Sequence, residues 1–342
     1  MFHAGLFIFL RRVKQSIDAR RDARYGEIIS NMLAHIILYD EPGDAEQAVE
    51  HFVPRFEKLP LKIAPVRELL VRELLDYHSN FTGRTADILK GIYLGLRLDH
   101  YARKKIRSCY WERQVEGIRE LTQLWIRRDA DMILKLGNSK NPTLRMEAQT
   151  SFVKLSSNDS FRFLDEARET ILEWHQVVLF EVITKTRNVR IPSFGKWLSS
   201  PNDSVVILCL KLIDHYQQLD TIPQLIGLLQ HRAVQVQEKA IRVLGKLEAE
   251  TAEPYLYDLY PRSAVEVQAA ILKAMGRIAS GNYLEFLTGQ AEAEDYGIRM
   301  AAMRSIREHG LRGAELLQSL FGQATLQNKA IINHVFDTRI KV

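Results

Sequence analysis

Cysteine is scarce in this chain. Its 342 residues include only Cys109 and Cys209, which lie one hundred residues apart. Two such distant thiols cannot form the disulfide framework of a small secreted domain, and sparse cysteine is typical of a reducing compartment. There is no Cys-x-x-Cys pair and no pair of histidines at ligand spacing, so a structural zinc site is not indicated. The scarcity predicts a cytoplasmic protein that binds no metal.

Motifs of catalytic chemistry are also missing. The ten histidines are scattered, and there is neither a His-Glu-x-x-His pair nor a Gly-x-Ser-x-Gly turn. The glycines form no phosphate-binding loop. The acidic pairs Asp129/Asp131 and Glu294/Asp295 fall in predicted loops or at helix starts. We therefore predict no catalytic residue and no cofactor, and that the chain is not an enzyme.

Long apolar stretches are missing as well. The first ten residues are apolar, but ten helical residues rise only about 15 Å, roughly half of a bilayer core. Arg11, Arg12 and Lys14 follow this stretch rather than precede it, which excludes a signal peptide. Two interpretations stay open. The stretch is either an amphipathic helix that caps the fold, or part of a segment that tethers the chain to the inner face of the cell membrane.

The overall composition is that of a folded protein. Apolar residues make up 46% of the chain and charged residues 26%, which is usual for globular proteins. The formal net charge is +5, and the excess lies within residues 1–128, because residues 129–342 contain 25 basic and 25 acidic residues. Net charge this modest does not by itself point to a nucleic-acid-binding domain.

A fixed period runs through the second half of the chain. Pro192, Pro223 and Pro254 lie 31 residues apart. An apolar position keeps the same step, at Val205, Val236, Val267 and Ile298. Such a period is typical of stacked repeats. Proline suits the first turn of the first helix in each pair, the leading helix, because no N–H donor is needed there. We therefore predict an all-α fold, an α-solenoid superhelix of stacked antiparallel helix pairs.

The regularity of the repeats divides the chain into three predicted segments. Residues 1–24 are apolar and then basic, residues 25–130 form atypical helical repeats, and residues 131–342 form regular repeats with a C-terminal cap. No Gly/Ser-rich linker interrupts the series. One continuous superhelix is therefore favoured over two separate domains.

Local signals within residues 25–130 predict particular helices. Asp44, with Gln47 three positions later, resembles a capping box and predicts a helix start. A single helix is predicted over Ala86–Ile106. Within it Gly91 and Gly95 lie one turn apart, a spacing that lets a neighbouring helix pack closely.

Several segments resemble the second helix of bacterial HEAT repeats. They are Val236–Gly245, Val267–Gly276, Ile298–Ile306 and Leu144–Ala148. The resemblance is clearest over residues 131–310. It implies paired antiparallel helices, a right-handed superhelix and a concave side lined by the second helices.

The second helices carry two rows of mostly basic residues. If Val236 and Leu244 face the core, Arg242 and Lys246 point away from it. The 31-residue step repeats these positions as Lys211, Arg242, Lys273 and Arg304, and one turn later as His215, Lys246, Arg277 and Glu308. Because neighbouring helices pack about 8–10 Å apart, we predict a continuous stripe that binds an anionic partner. The alternative is that these residues only end helices favourably and keep the chain soluble.

A second basic cluster precedes two aromatic residues near position 110. It contains Arg103, Lys104, Lys105 and Arg107. With Arg11, Arg12 and Lys14 it is a candidate contact for lipid headgroups or another polyanion. A solvated helix end is the favoured alternative. Trp125, Trp174 and Trp197 are expected in the core.

These patterns favour a non-enzymatic scaffold or adaptor whose concave face binds an acidic or amphipathic segment of a partner protein. An alternative is a DNA-binding protein that resembles the alkylpurine DNA glycosylases, which grip duplex DNA in a basic concave face. Their catalytic motif has no residue-by-residue match in this chain, and nucleic acid is the less favoured partner. A third interpretation, a lyase-type module that delivers a chromophore, lacks a ligand-binding cysteine.

Overall fold

The computed structural model describes residues 22–39, 43–186 and 189–337. These residues form helices and connecting turns, with no strand among them, which confirms the predicted all-α class. Most of the predicted N-terminal segment, including Arg11, Arg12 and Lys14, lies outside the described residues.

The helices follow one another along the whole described chain. They are α1 (residues 22–37), α2 (Ala45–Phe56), α3 (Ala64–Asn80), α4 (Arg84–Gly95), α5 (Leu98–Ile106), α6 (Trp111–Gln123), α7 (Ala130–Leu134), α8 (Pro142–Leu155), α9 (Arg162–Glu166), α10 (Glu173–Lys185), α11 (Asp203–Tyr216), α12 (Ile222–Gly227), α13 (Val234–Lys246), α14 (Glu253–Leu259), α15 (Val265–Ile278), α16 (Leu284–Gln290), α17 (Tyr296–Glu308), α18 (Gly310–Gln323) and α19 (Leu326–Phe336). Short 3₁₀ helices cover Arg127–Asp129, Phe194–Ser199, Leu219–Thr221, Leu228–Gln230, Glu250–Ala252 and Tyr260–Arg262.

The chain divides into two compact units. The first comprises Met1–Phe163 and Thr186–Val189, and the second comprises Leu164–Lys185 and Arg190–Val342. The sequence-based boundary at residue 130 rests on the regularity of the repeats and stays a prediction.

In the first unit, α2 packs closely on α4. A Cβ atom at Gly95 would lie 2.7 Å from Cγ2 of Val53, and one at Gly91 would overlap the side chain of Val49. The predicted close approach at these two glycines is therefore confirmed. The predicted cap of α2 is confirmed too, because the Asp44 carboxylate accepts a hydrogen bond from the backbone N–H at position 47.

The single helix predicted over Ala86–Ile106 is wrong. Helix α4 ends at Gly95, and Arg97 adopts a left-handed backbone with φ 53° before α5 begins. This turn brings α5 against α6, while α4 remains on α2. Gly95 is the last residue of α4, so a glycine directly before the turn was the local signal that could have indicated the break.

In the second unit, the longer helices repeat at a constant step. Helices α11, α13, α15 and α17 begin at residues 203, 234, 265 and 296, which are 31 residues apart. Each packs on the next one in this row, and α13, α15 and α17 also pack on the short helix that precedes them. The periodic apolar residues at the start of these helices are buried, with Val205 and Val236 at 0% exposure.

Two glycines set the closest approach within this row. A Cβ atom at Gly245 would lie 2.7 Å from Cα of Ala274, and one at Gly276 would lie 2.6 Å from Cα of Ser305. At the second contact, the buried Ser305 hydroxyl donates a 2.6 Å hydrogen bond to the Leu272 carbonyl oxygen of the neighbouring helix. These contacts are too short for a side chain, so α13, α15 and α17 meet backbone to backbone.

The prolines and tryptophans follow the sequence-based expectation in part. Pro223 and Pro254 lie in the first turn of α12 and α14, whereas Pro192 precedes the 3₁₀ helix that takes the place of a leading helix.

Of the tryptophans expected in the core, Trp197 is buried and two are not. Trp125 follows the end of α6 with φ 52°, Trp174 lies in the first turn of α10, and both are nearly half exposed.

Candidate anion-binding groove

A groove of about 470 Å³ crosses the outward faces of α11, α13 and α15 in the second unit. Its basic side chains are Lys211, Lys239, Arg242, Lys246, Lys273 and Arg277, and its acidic ones are Asp214 and Glu266. Small apolar residues, including Ala269 and Ala270, lie between the charges. We call this surface the basic groove. Its charge is strongly one-sided, although residues 129–342 as a whole are balanced.

The amphipathic pattern of α13 explains how its three cations reach the groove. Val236 and Leu244 are fully buried, so the helix turns this side towards the core. Lys239, Arg242 and Lys246 are spaced three and four residues apart, which places them together on another face of the helix. Each is at least partly exposed.

Two of the groove cations have acidic neighbours. Lys246 bonds to Asp214 of α11, and Arg242 lies 3.3 Å from Glu238 one turn earlier in α13. The Lys246 and Arg242 side chains remain 45% and 63% exposed. Exposed pairs of this kind contribute about 0–1 kcal/mol, so an incoming anion can replace either carboxylate at little cost.

The other positive charges are less compensated. Within the described ranges, four groove cations form no ion pair: Lys211, Lys239, Lys273 and Arg277. Partial burial, and then the neighbouring charge of Lys239, lower the pKa of Lys211 below its ordinary value, while Glu173 opposes this shift. An anion placed between Lys211 and Lys239 would relieve their repulsion. The geometry therefore suits binding of a carboxylate or phosphate group.

Acidic residues and an internal contact limit the basic groove at both ends. At the α11 end, an adjoining cavity of about 440 Å³ is lined by Glu173 of α10 and by Asp203 at the start of α11. Beyond α15, Glu308 occupies the position that is basic in the three preceding repeats. Arg304 of α17 lies 3.1 Å from the His334 ring and does not line the groove. The usable cations therefore lie on three successive helices.

The structure brings together most of the predicted stripe. The members in the groove are Lys211, Arg242, Lys246, Lys273 and Arg277. Arg304 and His215 lie outside its lining, and the His215 ring packs against Phe180 with ring centroids 5.2 Å apart. Lys239 was missed because the 31-residue step places apolar residues at its equivalent positions. Its position three residues before Arg242 was the signal that could have identified it.

Two residues of the second predicted basic cluster, Arg103 and Lys105, form ion pairs within the first unit. Arg103 donates to both carboxylate oxygens of Asp129, at 2.8 and 3.0 Å, and lies 2.8 Å from Asp99. Lys105 bonds to the buried carboxylate of Glu120 at 2.5 Å. Arg103 and Lys105 therefore stabilise the packing of α5, and a polyanion would have to compete with these partners.

The rest of that cluster remains accessible. Lys104 and Arg107 are exposed, so their contact with lipid or another polyanion stays a prediction. Beside them, Glu120 is buried and bonds to Lys105. Burial raises the pKa of Glu120 above its ordinary value, and the charge of Lys105 opposes this shift. The Tyr93 hydroxyl donates to the same carboxylate at 3.3 Å.

The described residues offer neither a metal cluster nor a membrane-spanning helix. Among residues 22–39, 43–186 and 189–337, no three His, Cys, Asp or Glu side chains are placed to hold a metal ion. Within these ranges, every helix is too short or too polar to cross a membrane.

Comparison with known proteins identifies no family. No family model matches this chain, and no curated protein matches its sequence. Among solved structures, human deoxyhypusine hydroxylase in complex with glycerol is similar over 78% of this chain and 96% of that chain, with 13% identity and a TM-score of 0.31. One engineered protein matches over 91% and 94%, with 16% identity and a TM-score of 0.36. A second matches over 70% and 95%, with 17% identity and a TM-score of 0.26.

The comparison corrects one sequence-based conclusion. The chain was predicted not to be an enzyme, yet a hydroxylase is among the solved structures that resemble it. A helical chain without familiar catalytic motifs can thus resemble an enzyme, and the exclusion of catalysis is withdrawn. TM-scores this low support no transfer of that activity to this chain.

Proposed function

We propose that this chain is an interaction protein, an α-solenoid of HEAT-like helix pairs whose basic groove binds an acidic segment of a partner protein. The observation that carries the proposal is the convergence of six cationic side chains on one groove, four of them without an ion pair in the described residues. We place this activity in the cytoplasm. Attachment to the inner face of the cell membrane would depend on residues 1–21.

An acidic protein segment suits the groove better than a single-stranded nucleic acid does. The groove lining contains no aromatic side chain, whereas single-stranded nucleic acids are commonly held by stacking of bases on aromatic rings. Alanines and the aliphatic parts of lysine side chains separate the charges. Such a surface can contact the apolar parts of a peptide while the cations bind its carboxylates.

The first test reverses one cation on each helix of the groove. The variant Lys211→Glu/Arg242→Glu/Lys273→Glu is titrated with a fluorescent poly-glutamate peptide at low salt. We expect its affinity to fall at least about tenfold, because each lost attraction at an exposed site is worth up to about 1 kcal/mol and the new charges repel the probe. Circular dichroism checks that the helices remain folded.

The matched control changes the net charge equally but elsewhere. Lys62→Glu/Lys135→Glu/Lys140→Glu alters three exposed lysines of the first unit and should leave the affinity within about twofold. If both variants lose affinity equally, the effect comes from net charge and the groove is not the binding site. If the wild-type chain binds duplex DNA but not the acidic peptide, the proposed partner class is wrong.

A further inference from the structure

The positive charges of the basic groove are arranged in three successive rungs. The first rung is Lys211 on α11, the second is formed by the three cations of α13 (Lys239, Arg242 and Lys246), and the third is Lys273 and Arg277 on α15. Consecutive helices of the row are in direct contact, and packed helices lie about 8–10 Å apart. A ligand crossing the groove therefore meets a cationic rung at each such step.

This repeat matches one backbone conformation particularly well. A polyproline II helix has three residues per turn and rises about 3.1 Å per residue, so residues i, i+3 and i+6 lie on one side at intervals of about 9 Å. In a β-strand, residues three apart point to opposite faces. Carboxylates at every third position of a polyproline II segment would thus face successive rungs.

An α-helical ligand fits this step less closely. Residues seven apart return to the same side of a helix after about 10.5 Å, which is more than the roughly 8–10 Å between packed helices. The mismatch grows over three rungs, so the extended conformation is favoured.

The ends of the groove limit the length of the recognised segment. Glu173 of α10 lies beyond the first rung, and Glu308 follows the third in the repeat pattern. Further carboxylates of a ligand would be repelled at either end. Three acidic residues, spread over about seven residues of chain, therefore fill the favourable positions.

We infer that the basic groove recognises an acidic polyproline II segment with a carboxylate at every third residue. This inference rests on the proposed function. It adds the conformation of the bound segment and the spacing of its carboxylates. A proline-rich ligand is already extended in the free state, so it loses less conformational freedom on binding than a flexible acidic chain does.

The test compares two peptides of identical composition. One contains four Glu-Pro-Pro triplets, and the other contains the same residues as two blocks of Glu-Glu-Pro-Pro-Pro-Pro. Both are fluorescently labelled and titrated with the full chain. The evenly spaced peptide should bind at least about fivefold more tightly, and Lys273→Gln/Arg277→Gln should remove most of this preference.

The remaining arms separate this inference from the proposed function. If both peptides bind the wild type equally and neither binds the triple reversal variant, the three-residue spacing is wrong. The proposal that the groove binds an acidic segment would still stand. Tighter binding of a helical peptide with Glu at every seventh position would likewise reject the extended ligand. If neither acidic peptide nor poly-glutamate binds, both the three-residue spacing and the proposed function are rejected.

Discussion

Gln217, Glu248, Ala279 and Gly310 terminate four successive long helices with a left-handed backbone. Their φ angles are 50°, 51°, 50° and 67°, and they lie at the same 31-residue step as the helices themselves. A residue with a side chain adopts this conformation at a cost of about 1–2 kcal/mol. Three of the four repeats therefore carry strain that the fourth avoids with glycine.

At this helix-terminating position, replacing alanine by glycine should raise the free energy of unfolding, and replacing glycine by alanine should lower it. Ala279→Gly relieves the strain but gives the unfolded chain more freedom, so we expect a gain of up to about 1 kcal/mol in the free energy of unfolding. Gly310→Ala should lose about 1 kcal/mol. No atom lies within 4 Å of a Cβ built at Gly310, so this loss would report backbone conformation alone.

Urea denaturation followed by circular dichroism measures both effects. The two substitutions are mutual controls because they exchange the same two residue types in opposite directions. A loss of stability in Ala279→Gly would mean that the methyl group contributes more by packing than its backbone conformation costs.

At the scale of the elements, helices α13, α15 and α17 touch at points where there is no room for a side chain between their backbones. Gly276 of α15 meets Ser305 of α17, and Gly245 of α13 meets Ala274 of α15, at the same relative positions. The sequence shows these residues at the repeat step but does not show that their backbones touch. The close approach predicted for Gly91 and Gly95 was recognisable because their one-turn spacing is itself a packing signal.

Filling this contact should weaken the row. A methyl group from Gly276→Ala would lie 2.6 Å from the Ser305 backbone, and relief of the overlap requires the helices to separate. We expect a loss of about 1–3 kcal/mol and a lower midpoint in thermal or urea denaturation.

The control is Gly289→Ala in α16. No atom lies within 4 Å of a Cβ at this helical position, and alanine is favoured over glycine in helices by up to about 1 kcal/mol. This variant should be as stable as the wild type or more so. Equal behaviour of the two variants would contradict the backbone contact.

At the scale of the whole molecule, charge is distributed unevenly on a chain of modest net charge. The formal charge of +5 comes from residues 1–128, yet the basic groove lies within residues 129–342, whose 25 acidic and 25 basic residues balance. Acidic side chains of residues 129–342 therefore lie mainly elsewhere. Local placement, not net charge, creates the anion-binding surface.

Salt should weaken binding to this open groove. Raising sodium chloride from about 0.1 M to about 1 M shortens the screening length from about 10 Å to about 3 Å. We expect the affinity for poly-glutamate to fall more than about tenfold in the wild type, and the triple reversal variant to show a much weaker dependence. Fluorescence anisotropy measures both, and affinity that holds or rises with salt would point to apolar binding instead.

The sequence by itself determined the all-α class, the 31-residue step and five of the groove cations. Apolar periodicity and turn residues act locally, so these features can be read without tertiary information. The solenoid geometry and the HEAT-like relationship remain proposals.

Only the tertiary structure decided which basic residues are available to a ligand. Arg103 and Lys105 are held by Asp129 and Glu120, while Lys239 joins the groove without a periodic equivalent. Arg304 fits the periodic row but lies beside a histidine thirty residues away. Ion pairing depends on distances between side chains that are remote in sequence, and periodicity along the chain does not contain those distances.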